Sequence, residues 1–246
     1  MDSSTVILLT LLFFAISILY SSAGQAGASG YLAAMGLLGI MPDVMRPTAL
    51  VLNILVSAIV VVKFYRAGHF SWSLLWPFAI TAAPFSFIGG ALVLPGSIYN
   101  ALVGVVLLFA AYRLAWPDRA RASSSTGTVS IPLALLLGVA IGLLAGLTGT
   151  GGGIFLSPLL IFLGWGEAHR VAGVSAAFIL ANSSASLLGQ LATLQSLPPT
   201  LPVWLATVAV GGWIGAEYGS RRADTTSLRR LLALLLLFAS LKLIFG

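Results

Sequence analysis

The chain has 246 residues, of which 59% are hydrophobic and 7% charged, with a net charge of +6 and no cysteine. Soluble domains carry about a quarter of their residues as charged side chains, so this composition excludes a soluble catalytic domain and indicates an integral membrane protein. The missing cysteines exclude disulfides, thiolate metal sites and a cysteine nucleophile. The basic residues are scattered over short loops, where they report orientation rather than nucleic-acid binding.

Ten apolar segments follow in chain order: 5–20, 31–41, 48–62, 72–94, 98–116, 131–146, 154–164, 171–192, 201–219 and 231–245. Barrel strands would alternate over about ten residues; these runs are continuous and read as membrane helices, which need roughly 20 apolar residues to span. The first run imitates a signal peptide, but its leader carries Asp2 and no basic residue, against the usual positive start. It is expected to be retained. Residues 117–130, with Asp118, Arg119, Arg121 and a Ser/Thr/Gly run, form an expected cytoplasmic linker between an N-terminal membrane repeat, 1–116, and a C-terminal one, 131–246.

The two halves match internally. Gly24-x-x-Gly27 corresponds to Gly149-x-x-Gly152, and Asp43-x-x-Arg46 to Glu167-x-x-Arg170. Leu107-Leu108-Phe109-Ala110-Ala111-Tyr112-Arg113 corresponds to Leu236-Leu237-Phe238-Ala239-Ser240-Leu241-Lys242. Three matches in order at nearly constant spacing predict a duplication. Lys63, Arg66 and His69 form one basic loop, Arg113, Arg119 and Arg121 a second, and Arg221, Arg222, Arg229 and Arg230 a third. Placing these loops in the cytoplasm puts both termini outside and the linker inside. Each half then crosses an odd number of times, so the expected fold is an all-α polytopic membrane protein with two inverted repeats, as in many secondary transporters. Parallel four-helix halves are the alternative if the short segments are counted differently.

Each half has one short segment, 31–41 or 154–164, about 16 Å of helix at 1.5 Å per residue. Each follows a glycine-rich break, 21–30 or 146–153. The expected arrangement is a helix broken near mid-membrane, a returning half-helix, and about three spanning helices per half. Non-helical backbone at that depth is tolerated only in protein or beside a cavity. The first turn of a half-helix exposes unpaired N–H groups and a positive dipole end, which suit an anion. Ser21, Ser22, Gln25, Ser29, Thr148 and Thr150 add neutral donors, while Gly24, Gly27, Gly149, Gly151, Gly152 and Gly153 let backbone approach. The competing reading is that the glycines only allow close helix packing.

The run Gly142-Leu143-Leu144-Ala145-Gly146-Leu147-Thr148-Gly149-Thr150-Gly151-Gly152-Gly153-Ile154-Phe155-Leu156-Ser157-Pro158 resembles the signature of the sulfite exporter (TauE/SafE) family of membrane permeases, also called the 4-toluene sulfonate uptake permease family. Arg170-Val171-Ala172-Gly173-Val174-Ser175-Ala176, Asn182-Ser183 and Arg46-Pro47-Thr48-Ala49-Leu50-Val51-Leu52-Asn53 are similar to it too, so the resemblance covers nearly the whole chain. It implies a bacterial cytoplasmic-membrane permease that exports sulfite, sulfoacetate or a related small organosulfur anion, without metal or cofactor. The first break departs from the fuller motif, with Gln25, Ala26 and Ala28 where the second has Thr150, Gly151 and Gly153. The expected partners are a small anion and the bilayer, with a homodimer as one assembly.

Other polar residues carry two readings each. Asn53, Asn182 and Gln190 bond either a helix neighbour or a substrate oxygen. Arg46 and Arg170 anchor turns as ion pairs or draw anions to the mouths. Lys63, Arg113 and Lys242 are expected to snorkel from helix ends. Gly211, Gly215 and Gly219 read as a close helix contact. Glu217 pairs with Arg221 four residues on or couples transport to protons. A separate class enters through Gly27-Ala28-Ser29-Gly30 and His169, which fit a rhomboid-like serine protease. A passive anion channel is the third class.

Overall fold

The structure, a computed structural model, describes residues 2–115, 129–192, 197–221 and 226–245, leaving aside the side chains of 113, 114 and 226–235. Residues 117–128 of the expected linker, and the side chains of Arg113, Arg119, Arg121, Arg222, Arg229 and Arg230, lie outside the described set. Ten helices form the first half, α1 (Ser3–Ser22), α2 (Ala28–Leu37), α3 (Pro42–Arg66), α4 (Trp72–Ala91) and α5 (Gly96–Ala115), and the second, α6 (Ile131–Thr148), α7 (Gly153–Phe162), α8 (Ala168–Gln190), α9 (Leu201–Arg221) and α10 (Thr226–Phe245). Of these, α1, α3, α4, α6 and α8 are long and apolar enough to cross a membrane. The chain is an all-α polytopic membrane protein.

The ten expected segments correspond to the ten helices, but α3 starts six residues earlier than the apolar run that announces it. Its first turns hold Asp43, Arg46 and Pro47, which interrupt the apolar pattern without breaking the helix. Pro42 stands in the first helical turn, where its missing N–H is not needed. Asn53, expected early in its helix, therefore lies near the middle of α3.

The two short helices have ten residues each and start 125 positions apart. Their flanking turns are built alike. Gly24 and Gly149 have φ of 74° and 79°, Gly27 and Gly152 of 103° and 80°, and Gly39 and Gly164 of 72° and 67°. All six need the left-handed region, which a side chain disfavours.

Packing relates the halves as well. α4 packs on α6 and α8 of the second half; in return α9 packs on α1 and α3 of the first. α3 pairs with α8, and α5 with α10. Neighbouring contacts set the directions. Asn53 meets Ser183 while the carbonyl of His69 meets Gly173, so α3 and α8 run antiparallel. Gly211, Gly215 and Gly219 meet Ser17, Ile18 and Ser22 in ascending order, so α9 and α1 are parallel. Gly138, Gly142 and Gly146 meet Phe78, Ala82 and Ser86, so α6 and α4 are parallel too.

These two glycine rows explain the closeness of both pairs. A Cβ on Gly219 would run into the Ser22 carbonyl, and one on Gly142 into that of Ala82. Lipid supplies no hydrophobic drive between helices, so close backbone approach and van der Waals contact hold such pairs. The expected contact at Gly211, Gly215 and Gly219 is present.

Candidate functional site at the paired breaks

The first break bends away from α1 through Ala23–Gly27 and delivers Ala28 to the first turn of α2. The Ala28 amide donates to Asn53 Oδ1 at 3.2 Å, and Asn53 Nδ2 donates to Ser183 Oγ at 2.9 Å. Asn53 thus joins α2, α3 and α8. Gln25 reaches across to the other half: its Nε2 donates to the Gly153 carbonyl at 3.2 Å and to Ser157 Oγ at 2.6 Å. Ser157 Oγ in turn donates to Ser175 Oγ at 2.8 Å.

The second break wraps the same centre. A Cβ on Gly151 would lie 2.5 Å from Asn53 Nδ2 and 2.7 Å from Ser183 Oγ, so only glycine lets the backbone pass there. Gly149 runs along the stem of Arg46. Thr148 Oγ1 donates to the Leu144 carbonyl at 2.7 Å and lies 2.9 Å from Thr150 Oγ1. Tyr99 Oη donates to the Thr148 carbonyl at 3.1 Å. The amides of Gly152, Gly153 and Ile154 have no hydrogen-bond partner among the described residues. They are the free donors that a helix start leaves.

The half-helix starts therefore meet beside the middle of α3. They are not equivalent. α2 has its first-turn amide taken by Asn53, whereas Ile179 stands against Gly153 at the start of α7.

Arg46 does not make the turn-anchoring ion pair expected of it. It is 5% exposed and makes no ion pair with Asp43. Its Nη2 donates to the carbonyls of Gly89, Gly90 and Gly146 at 2.6, 3.0 and 2.6 Å, and Nη1 to Leu92 at 3.0 Å. These carbonyls close the C-terminal ends of α4 and α6, the negative ends of their dipoles. Arg170 is exposed at the head of α8 and likewise makes no ion pair with Glu167 among the described residues. The match of Arg46 to Arg170 is corrected as well. Gly149 lies against Arg46, and its counterpart Gly24 against Ala172, so Ala172 holds the position equivalent to Arg46.

The remaining candidates are spread out. Ser22 Oγ donates to the Leu19 carbonyl of its own helix at 2.7 Å. Ser29 Oγ donates to Tyr20 Oη at 2.9 Å, whereas the His169 ring lies against that of His69, tilted by 34°, and no hydrogen bond joins Ser29 to His169. Asn182 is fully buried between α8 and α4, both its side-chain polar atoms lack partners, and its carbonyl accepts from Ser86 Oγ. Gln190 is buried at the end of α8. Glu217 bonds Lys63 at 2.5 Å and Arg221 at 2.8 Å, and Lys63 Nζ also sits 3.5 Å above the Trp213 ring. Lys63 is thus tied to a carboxylate rather than snorkelling freely. Lys242 donates to the Leu37 carbonyl at the end of α2.

Sequence reasoning missed Ser157, Ser175, Ser183 and Tyr99 as members of this network. Ser157, Ser175 and Ser183 stand inside the motif runs, and a spacing of eight residues along α8 puts the last two near one face. Tyr99 carried no such signal.

Comparison with known proteins agrees with the architecture. A family model described as Sulfite exporter TauE/SafE matches residues 9–243. The chain is 43% identical over 242 residues to the "Probable membrane transporter protein y4hK" of Sinorhizobium fredii (strain NBRC 101917 / NGR234), covering 96% of this chain and 97% of that protein. No solved structure matches. A membrane transporter rather than an enzyme is thereby indicated, and the chain belongs to the sulfite exporter TauE/SafE family.

Proposed function

We propose that this protein is a secondary transporter that exports a small organosulfur or sulfur oxyanion, such as sulfite or sulfoacetate, across the cytoplasmic membrane of a bacterium. The observation that carries this reading is the meeting of both half-helix starts beside Asn53 and Gln25, with the α7 amides unpartnered among the described residues. Amides of Gly151, Gly152 and Gly153, hydroxyls of Thr148 and Thr150, and the amides of Gln25, Asn53 and Asn182 replace part of the anion's hydration. Ser22, Gly24, Gly27, Ser29 and Gly149 shape the approach. Neutral donors hold an anion without a fixed ion pair, so it binds and leaves. Arg46 adds positive potential beside the second break, and Arg170 draws anions at the other mouth.

The halves, 1–116 and 131–246 around the linker, are read as inverted repeats that rock about the site for alternating access. The antiparallel run of α3 and α8 and the paired glycine turns support this. The three basic loops then face the cytoplasm. A passive channel of the same architecture makes a different prediction. In proteoliposomes, sulfite or sulfoacetate flux should saturate and be driven uphill by a pH or voltage difference. Unsaturated flux that only follows its own gradient selects the channel.

A further inference from the structure

Among the described residues, Asn182 alone has two buried side-chain polar atoms that both lack a hydrogen-bond partner. The residue is fully buried. An unpaired buried donor or acceptor costs stability, and native proteins keep few of them.

Its place on α8 shows what it faces. Phe178, Asn182 and Ser186 stand four residues apart and share one ridge of the helix. The Phe178 ring lies 3.0 Å from where a Cβ on Gly152 would stand, and Ser186 Oγ donates to the Gly146 carbonyl at 3.2 Å. Ser183, the next residue, has its Oγ 2.7 Å from the place of a Cβ on Gly151. Asn182 therefore faces the second break between its two ends.

Packing does not call for an amide there. Arg46 lies against Gly149, and Ala172 against the matching Gly24. Ten residues further along each helix, Asn182 corresponds to Val56. Val56 is fully buried and stands against Gly212 of α9, while Asn182 meets Ser86 of α4. The same place in the fold takes an apolar side chain in one half and an unpaired amide in the other.

We propose that Asn182 makes the second break select anions that bring a hydrogen-bond donor of their own, a hydroxyl or ammonium beside the anionic group. This rests on the reading that an anion binds at the second break. Nδ2 only donates and Oδ1 only accepts. Nδ2 and the α7 amides suit the bare oxygens of an anion, but Oδ1 repels them. Turning the amide over exchanges its two atoms and leaves the mismatch. An oxyanion with no O–H or N–H thus leaves Oδ1 unpaired in a buried setting. A hydroxyalkanesulfonate, an aminoalkanesulfonate or hydrogensulfite satisfies both atoms at once. Sites that pair a substrate hydroxyl discriminate strongly against the analogue without it.

Two probes isolate that donor. 2-Hydroxyethanesulfonate and propanesulfonate carry the same charge and differ by a hydroxyl in place of a methyl. The purified full chain is titrated calorimetrically with each. The parent should bind the hydroxylated anion at least about tenfold more tightly. In Asn182→Val and in Asn182→Ala, its affinity should fall to that of propanesulfonate. Asn182→Val should also melt no lower than the parent, because it gives up no internal side-chain hydrogen bond. Equal affinities in the parent overturn the proposal and leave the anion site standing. A preference that survives in either folded variant overturns it as well. Binding of neither anion by the parent overturns both the proposal and the anion site.

Discussion

The side-chain oxygen of Asn53 lies 3.2 Å from the Ala28 amide and accepts its hydrogen bond. A protein oxygen thus sits at the first turn of α2, in the kind of position that an anion's oxygen takes at a helix start. At α7, the equivalent place is faced by Ile179, and the amides stay open. The two half-helices share geometry, but only one has its donor taken from within.

Removing Asn53 leaves the Ala28 amide and Ser183 without their partner in a buried setting. Asn53→Ala should lower stability by about 1–3 kcal/mol. Reversible unfolding in mixed micelles, with midpoint and slope compared with the parent, measures this.

Gly152 and Gly39 separate backbone strain from site chemistry. Both have positive φ, 80° and 72°. A Cβ on Gly152 would meet Ile141 and Phe178 at 3.0 Å, whereas one on Gly39 meets nothing within 4 Å. Gly152→Leu should abolish anion binding by blocking backbone approach. Gly39→Ala should lose only about 1–2 kcal/mol of stability and bind normally in a thermal-shift titration. Normal binding by Gly152→Leu would move the site elsewhere.

Arg46 and Arg170 are predicted to behave unlike each other. Arg46→Ala strips four carbonyls at the ends of α4 and α6 of their donor. Hydrogen bonds from a charged group contribute about 1.5–3 kcal/mol each in buried settings, so this variant should be severely destabilised. Arg46→Lys keeps the charge but not the fork of donors and should rescue only part of the loss. Arg170→Ala, at an exposed position, should leave the melting temperature unchanged and slow anion uptake into the site only at low ionic strength.

Glu217 is held by Lys63 and Arg221 at one end of the bundle, so the ion-pair role is occupied. Glu217→Gln should keep transport and leave its pH profile in place. A profile that flattens in this variant, measured by proteoliposome flux at matched voltage, would assign it the coupling role instead.

The architecture was legible because membrane helices announce themselves in continuous apolar runs, and the breaks because glycine clusters are rare inside such runs. The half-helices were legible from length alone, and α2 and α7 are one residue shorter than expected. Arg46 was misread because its spacing from Asp43 mimics an ion pair, while its true partners are carbonyls 43 to 100 residues away. The carbonyls of α4 and α6 carry no sequence signal. The same holds for the Gln25 bond to Gly153, which depends on how two halves dock.

The central claim is that an anion binds where the two breaks meet. Its most direct test is a calorimetric titration of purified protein with sulfite, sulfoacetate, sulfate, taurine and a simple carboxylate, repeated on Asn53→Asp. The variant keeps the acceptor for Ala28 but adds a negative charge at the site. The account predicts saturable binding of sulfite or sulfoacetate by the parent, weakened at least about tenfold, or 1.4 kcal/mol, in the variant. Equal affinity in parent and variant, or no binding of any of these anions, would contradict it.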